Sequence, residues 1–374
     1  MNIGFDSVGI LGPASKNRGI GNYTKSQFLK MAEIDKENRY FFLNTYEADF
    51  SLSEFMEDAS NLHEEFYFFG KGNFLLHDRI NYELVGKVVK RFLKDNQIDV
   101  FYMTSPFDEN MTLYRKEWFE GVTVVATVYD IIPYMRKDQY FPRFSRAKQY
   151  YEMRIDMLKW VDQILVISES VKQDMIKYMD FAPEKIDVIW GAVDERFKEI
   201  PVAAETEREI REKFGITDSF IICTGGADGR KNLDGLIRAF GAMPTELKEQ
   251  YQLVIVCKLS QEAVDGFMKL AKESGAEGRV ICTNFVTDEE LLILYNLAHL
   301  TAGFGLPVVE SWACATPVLT SNNSSLVEVG GDGAVLVNPN DVSDITRGLV
   351  QALSETDLEE LLQKGKKRLE RFQW

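Results

Sequence analysis

The chain has 374 residues, too many for one ordinary core, and its 45% hydrophobic content excludes a disordered or fibrous chain. Lys and Arg number 43 against 58 Asp and Glu, a net charge of −15 that excludes nucleic acid as a general partner, because affinity for phosphate backbones comes mainly from basic side chains. The start, Met1 to Asp6, has no basic and apolar leader pattern, and no apolar run approaches the ~20 residues that span a bilayer, so a cytoplasmic chain is expected.

Strand-like apolar runs alternate with helical patterns along the whole length, as in parallel α/β folds. In the first half the predicted strands are Asn2–Phe5, Tyr40–Leu43, Asp99–Met103, Val122–Val128, Gln163–Ile167 and Asp187–Trp190. A predicted helix, Tyr82–Leu93, puts Tyr82, Val85, Val89 and Phe92 on one face. The polar stretch Asp194–Arg208 carries no strand pattern, so the expected domains are 1–195 and 196–374. The second half restarts with Phe220–Thr224, Gln252–Cys257, Arg279–Thr283, Pro317–Thr320 and Ala334–Val337. Its helix Leu233–Ala242 carries Leu233, Leu236, Ile237 and Phe240 at helical spacing, and Thr287-Asp288-Glu289-Glu290 is a capping-box pattern. Two α/β units in succession imply a cleft between them, the usual place for a ligand held by both. Cys223, Cys257, Cys282 and Cys314 read as reduced, buried small hydrophobes, and the scattered His63, His77 and His299 give no metal site.

Three stretches carry chemistry. In the first, a strand runs through Gly225 and Gly226 to Gly229-Arg230-Lys231-Asn232 and into a helix. Glycines let a ligand approach the backbone, and Arg230 with Lys231 can neutralise a leaving diphosphate. The second is Gly303-Phe304-Gly305-Leu306-Pro307-Val308-Val309-Glu310. Two glycines bracket an aromatic, Pro307 suits a first helical turn, and Glu310 sits where it would accept two ribose hydroxyls or merely complement the helix dipole. The third, Gly19-Ile20-Gly21-Asn22-Tyr23-Thr24, opens a helix in the first half and has Thr24 at the third glycine position of a dinucleotide fingerprint, so it supports phosphate contact better than nicotinamide.

These stretches, with Tyr129-Asp130-Ile131-Ile132-Pro133, Val166-Ile167-Ser168-Glu169 and Ala192-Val193-Asp194, occur in the order seen in the retaining glycosyltransferases of family 4 (GT4, group 1), and over nearly its whole length the chain resembles them. The resemblance implies the GT-B fold: two facing Rossmann-like domains, the N-terminal one holding the acceptor and the C-terminal one the nucleotide-sugar. It implies that Arg230 and Lys231 bind the diphosphate, Glu310 the ribose, and the backbone of Gly303, Phe304, Gly305 and Leu306 the sugar or phosphate. It further implies that Gly19 and Gly21 approach the phosphate and that Asp130 contacts donor sugar or acceptor hydroxyl. Tyr129 stands where this family often has His. The implied reaction is metal-independent, retaining transfer of a hexose from a nucleotide-sugar to a glycan, lipid-linked or protein acceptor in polysaccharide or glycoconjugate assembly. No other cofactor is implied. The likeness to bacterial mannosyltransferases points to GDP-mannose.

The chain departs from the family pattern at Ala302, where a Glu is usual eight positions before Glu310. Between the helix ending near Leu300 and the glycine loop stand only Thr301 and Ala302, which reach at most ~7 Å, against ~17–20 Å for an ordinary strand. The expectation is therefore that residues of a central strand are missing from this sequence. A further helix usually follows the position of Trp374, so the terminus reads as truncated. Tyr134–Trp160, with seven cations against three carboxylates, reads as a peripheral contact with the inner membrane face or a lipid-diphosphate acceptor, or, more simply, as a solvated helix face with its aromatics in the core. Three other readings stand beside the transferase: a non-catalytic subunit of a partner enzyme, which Ala302 favours, a sugar-nucleotide epimerase, and a dehydrogenase.

Overall fold

Short β-branched and aromatic runs separated by amphipathic helices return to a sheet only through crossovers, and the paired strands are accordingly parallel throughout the described chain. The computed structural model describes residues 1–12, 15, 19–45, 60–67, 79–108, 112–141, 146–225, 229–303 and 305–374, with the backbone alone at 79–82 and 230. The chain divides into one unit of residues 1–191, with which Trp374 groups, and a second of residues 192–373.

The first unit contains β1 (Asn2–Asp6), β2 (Arg39–Asn44), β3 (Leu62–Phe66), β4 (Val100–Met103), β5 (Thr123–Val128), β6 (Gln163–Val166) and β7 (Ile186–Val188), in the spatial order β3-β2-β1-β4-β5-β6-β7. The second contains β8 (Ser219–Thr224), β9 (Tyr251–Val256), β10 (Val280–Cys282), β11 (Leu300–Ala302), β12 (Val318–Ser321) and β13 (Ala334–Val337), in the order β10-β9-β8-β11-β12-β13. Both orders reverse direction once, between β1 and β4 and between β8 and β11. In open α/β sheets such a reversal leaves a crevice at the carboxyl ends of the two strands, where ligands bind. These are two Rossmann-like α/β units.

The predicted helix faces are buried as their spacing requires. Val85, Val89 and Phe92 are 4%, 2% and 0% exposed on the helix Arg79–Asp95, where the Tyr82 side chain lies outside the described residues. Leu233, Leu236, Ile237 and Phe240 line the core side of the helix Leu233–Gly241. The Thr287 capping box forms in both directions, Glu290 N donating to Thr287 Oγ1 at 3.2 Å and Thr287 N to Glu290 Oε2 at 2.9 Å. In the first core Phe5 packs against Phe28 and Phe42 with centroids 4.0 and 5.2 Å apart, each such burial contributing about 1.5–3 kcal/mol.

Two strands depart from expectation. β3 was not anticipated, because Leu62-His63-Glu64-Glu65-Phe66 is largely polar. It lies at the sheet edge, where Leu62 alone is buried. The supposed gap at Thr301 and Ala302 is corrected: Leu300-Thr301-Ala302 is itself the central strand β11, buried throughout. It pairs with β8 through Leu300↔Ile221 and with β12 through Thr301↔Val318 and Ala302↔Leu319. The preceding helix ends at Leu297, earlier than its pattern suggests, and His299 N already donates to Phe220 O at 2.9 Å. Three residues therefore suffice to keep the ladder continuous. Three cysteines are buried as expected, whereas Cys282 is half-exposed. No helix among the described residues is long and apolar enough to cross a membrane.

Candidate functional site

The reversal point of the second sheet collects the two glycine-rich stretches, because β8 leads into one and β11 into the other. Gly225, directly after β8, has φ +148°, a backbone state that only glycine enters without strain. The short turn Gly229–Lys231 follows, and Asn232 (φ 47°) caps the next helix by accepting from Gly235 N at 3.2 Å while its Nδ2 donates to Pro339 O at 2.6 Å. Asn232 is thus an anchor for the turn. Lys231, held beside it, runs from one glycine loop to the other: a Cβ on Gly225 would lie 3.5 Å from Lys231 Cε, and one on Gly305 would lie 3.7 Å from Lys231 Nζ. The side chain of Arg230, like all of Phe304, lies outside the described residues.

After β11, Gly303 N donates to Leu319 O at 3.1 Å and Gly303 O accepts from Thr320 Oγ1 at 2.7 Å. Its amide belongs to the sheet. Gly305 has φ +97°, and Pro307 opens the helix Pro307–Ala313. Val308 N and Val309 N donate to Gly305 O and Leu306 O. The amides of Gly305 and Leu306 have no partner among the described residues, and they are the loop's donors beside the Lys231 ammonium.

Glu310, in the first turn of that helix, is half-buried and accepts from Tyr295 Oη at 2.9 Å through Oε2. Burial pushes its carboxyl up to about 7, against the Tyr295 hydrogen bond and the attraction of Arg196 and Lys231, with Asp194 adding to the rise. The site therefore holds a cation, two amides and a carboxyl that changes charge near neutrality.

The first unit's reversal point is built differently. Asp6, ending β1, is 2% exposed and accepts from Val8 N, Thr104 N and Thr104 Oγ1 (2.5 Å), which binds it to the end of β4. Burial raises its carboxyl to about 7. Gly19, exposed, and Gly21, buried, open the helix Gly19–Ile34. Thr24 Oγ1 donates to Ile20 O at 2.7 Å, so the 2.6 Å bond between Thr24 and Tyr129 takes its proton from the Tyr129 hydroxyl. Desolvation holds that phenol well above its usual range. Asp130, half-buried after β5, accepts from Ile132 N at 3.0 Å and closes a turn. The glycine helix and the Tyr129-Asp130 stretch are thereby brought together, while Lys231, Gly303, Gly305, Leu306 and Glu310 gather in the second unit.

Both halves of the chain match known family patterns: "Glycosyltransferase Family 4" over residues 55–197 and "Glycosyl transferases group 1" over residues 206–369. The chain belongs to the group-1, family-4 glycosyltransferases. Among curated relatives of this glycosyltransferase chain, the serotype-specific mannosyltransferase WbdA of Escherichia coli is 34% identical over 240 residues, which are 62% of this chain and 29% of WbdA. The chain thus spans less than a third of the length of that relative. Among solved structures, sucrose-phosphate synthase of Thermosynechococcus elongatus superposes with a TM-score of 0.74 at 17% identity, covering 100% of this chain and 95% of the other. HepE of Anabaena, solved in complex with UDP-glucose, gives 0.71 at 15% identity, covering 100% and 96%. These likenesses place the fold in the GT-B class.

Several residues of this candidate site escaped the sequence reading. Tyr295 meets Glu310 from a helix and Thr224 meets Tyr295 from a strand end, where their spacing reads as core, and Arg196 gave no signal beyond its closeness to Ala192-Val193-Asp194. Within Tyr134–Trp160, Arg154 is 7% exposed, Lys148 pairs with Glu152 and Lys159 with Asp156, and Tyr151 stacks on Phe107 at 4.3 Å. Arg143 lies outside the described residues. A solvated helix face with its aromatics inside fits this arrangement.

Proposed function

We propose that the chain transfers a hexose from a nucleotide-diphospho-sugar to a glycan, lipid-linked or protein acceptor, with residues 196–374 serving the donor and residues 1–195 the acceptor. The observation that carries this reading is the convergence of Lys231, the Gly305 and Leu306 amides and Glu310 at one sheet reversal. Lys231 and the two amides would take up charge on the departing diphosphate, with Arg230 adjacent in sequence. Preorganised donors of this kind stabilise a leaving group without a metal. The chain has no Asp-x-Asp motif, and metal independence is inferred from the family resemblance. Glu310, when ionised, accepts hydroxyl donors and suits a ribose. Gly19, Gly21 and Asp130 are the first unit's proposed substrate contacts. Retention of anomeric configuration is inferred from family membership.

The relationship to a mannosyltransferase supports GDP-mannose as donor, and the UDP-glucose complex of HepE makes UDP-sugars the comparison set. The test is a thermal-shift titration of the chain with both classes, since a ligand at 100 times its dissociation constant adds ~2.7 kcal/mol. The expected result is stabilisation by one class, with release of the matching nucleoside diphosphate on incubation. No shift with any nucleotide-sugar at millimolar concentration rejects the reading. A second reading rests on Ala302, which is 1% exposed in the core where the family pattern has a carboxylate. It makes the chain a non-catalytic subunit, and donor binding without release of nucleoside diphosphate would favour it.

A further inference from the structure

Tyr295 is fully buried on the helix Asp288–Leu297, and its hydroxyl lies between two side chains, Glu310 Oε2 at 2.9 Å and Thr224 Oγ1 at 2.7 Å. An ionised carboxylate only accepts, so the Tyr295 proton belongs to the Glu310 bond, and the other bond must run from the Thr224 hydroxyl to Tyr295. The order of donation is therefore Thr224 to Tyr295 to Glu310. The phenol is itself held fast. Phe197 packs edge-on against its ring at 5.7 Å, and the Tyr295 carbonyl accepts from Thr316 Oγ1 at 2.5 Å. Glu310 Oε2 is thus occupied, while Oε1 has no partner among the described residues. The remaining charged or titratable groups that bear on Glu310 are Lys231 from the glycine turn, Asp194 and Arg196 from the start of the second unit, and Cys314, which caps the end of the same helix.

Resting on the donor reading above, we propose that Tyr295 is a positioning residue for the nucleotide: oriented by Thr224, it pins one oxygen of Glu310 so that the other is presented to the ribose hydroxyls. Two consequences separate this from a merely structural tyrosine. First, the hydroxyl stabilises the charged carboxylate, so its removal moves the Glu310 titration to higher pH. Second, the loss in affinity depends on the ribose hydroxyls, because they alone require the presented oxygen.

The test uses the full chain, with UDP-glucose and GDP-mannose as probes and their 2′,3′-dideoxyribose analogues as controls. Nucleotide-sugars have no phosphate ionisation near neutrality, so a pH dependence of binding reports on the protein. In the wild type, affinity should rise as pH passes upward through about 7. In Tyr295→Phe that midpoint should move up by about one pH unit, and affinity at pH 7 should fall about 5-fold for the natural donor, with little change for the dideoxy analogue. The carboxyl ¹³C titration of Glu310 should move in step. Thr224→Val, which keeps the phenol, should shift both readouts the same way by less, and it carries the test if Tyr295→Phe does not fold. An unchanged Glu310 titration, or equal losses for natural and dideoxy donors, overturns the positioning role and leaves the donor reading standing. A wild type that binds neither donor removes both.

Discussion

Each unit places a carboxyl at the point where its strand order reverses, and desolvation raises both to about 7, yet the two are disposed in opposite ways. Asp6 is saturated: two amides and a hydroxyl fill it, and its bonds to Thr104 close the crevice between β1 and β4. Glu310 is half-buried and keeps one oxygen without a described partner, in a crevice bordered by two glycine loops and a lysine. A raised carboxyl is therefore no sign of function by itself. What separates Glu310 from Asp6 is its remaining hydrogen-bonding capacity and its access to solvent.

The strongest way to break this contrast is to remove the charge from the open crevice. Lys231→Ala should lower turnover roughly 100- to 1000-fold, the usual cost of deleting one preorganised donor to developing charge, with far-ultraviolet circular dichroism unchanged. Steady-state kinetics with the donor identified by thermal shift would measure it, and near-normal rates would end the assignment. Next is the closed crevice. Because the folded state holds the Asp6 proton up to about 7 while the unfolded chain releases it near 3.9, stability is greatest at low pH and falls as pH rises between those values, by up to ~4 kcal/mol at 1.36 kcal/mol per unit. In Asp6→Asn that part of the pH dependence should vanish, and a constant cost of about 1–3 kcal/mol should replace it, since the new amide faces donors. Urea denaturation of both proteins from pH 4 to pH 8 decides this.

A smaller effect sharpens the same contrast. Tyr129→Phe removes a phenol whose proton is committed to Thr24, and Thr24 keeps Ile20 O as its own acceptor. The expected cost is about 1 kcal/mol of stability, with no change in nucleotide-sugar affinity by calorimetry. A large loss of donor affinity would mean that the first unit serves the nucleotide as well. Smallest of all, Thr287→Ala removes the capping box at the start of the helix Asp288–Leu297. It should cost about 1 kcal/mol and leave binding and turnover unaffected, which makes it the control for stability alone.

Most of the fold was legible because buried parallel strands must be apolar and their crossover helices amphipathic, so eleven strands announced themselves as runs and the helices as stripes. The two strands that escaped had other reasons. β3 lies at an edge and is largely polar, and β11 is only three residues long, so its register came from β8 and β12 on either side. In the site, glycines and adjacent cations marked Lys231, Gly303, Gly305 and Glu310, but not their division of labour. Gly303 looked like a ligand contact, although its amide completes the sheet. Tyr295 could not be distinguished from a core aromatic, because the difference lies in an oxygen 2.9 Å away on a residue fifteen positions later.

By itself the sequence determined the α/β class, the two successive units and the short list of residues able to meet a diphosphate, since composition and periodicity are local properties. Only the tertiary structure decided which amides lack a partner among the described residues, which carboxyl is already satisfied and which tyrosine bonds to the other. Hydrogen-bond capacity is used up by neighbours that the chain brings from far away in sequence, and no local pattern records how much of it is left.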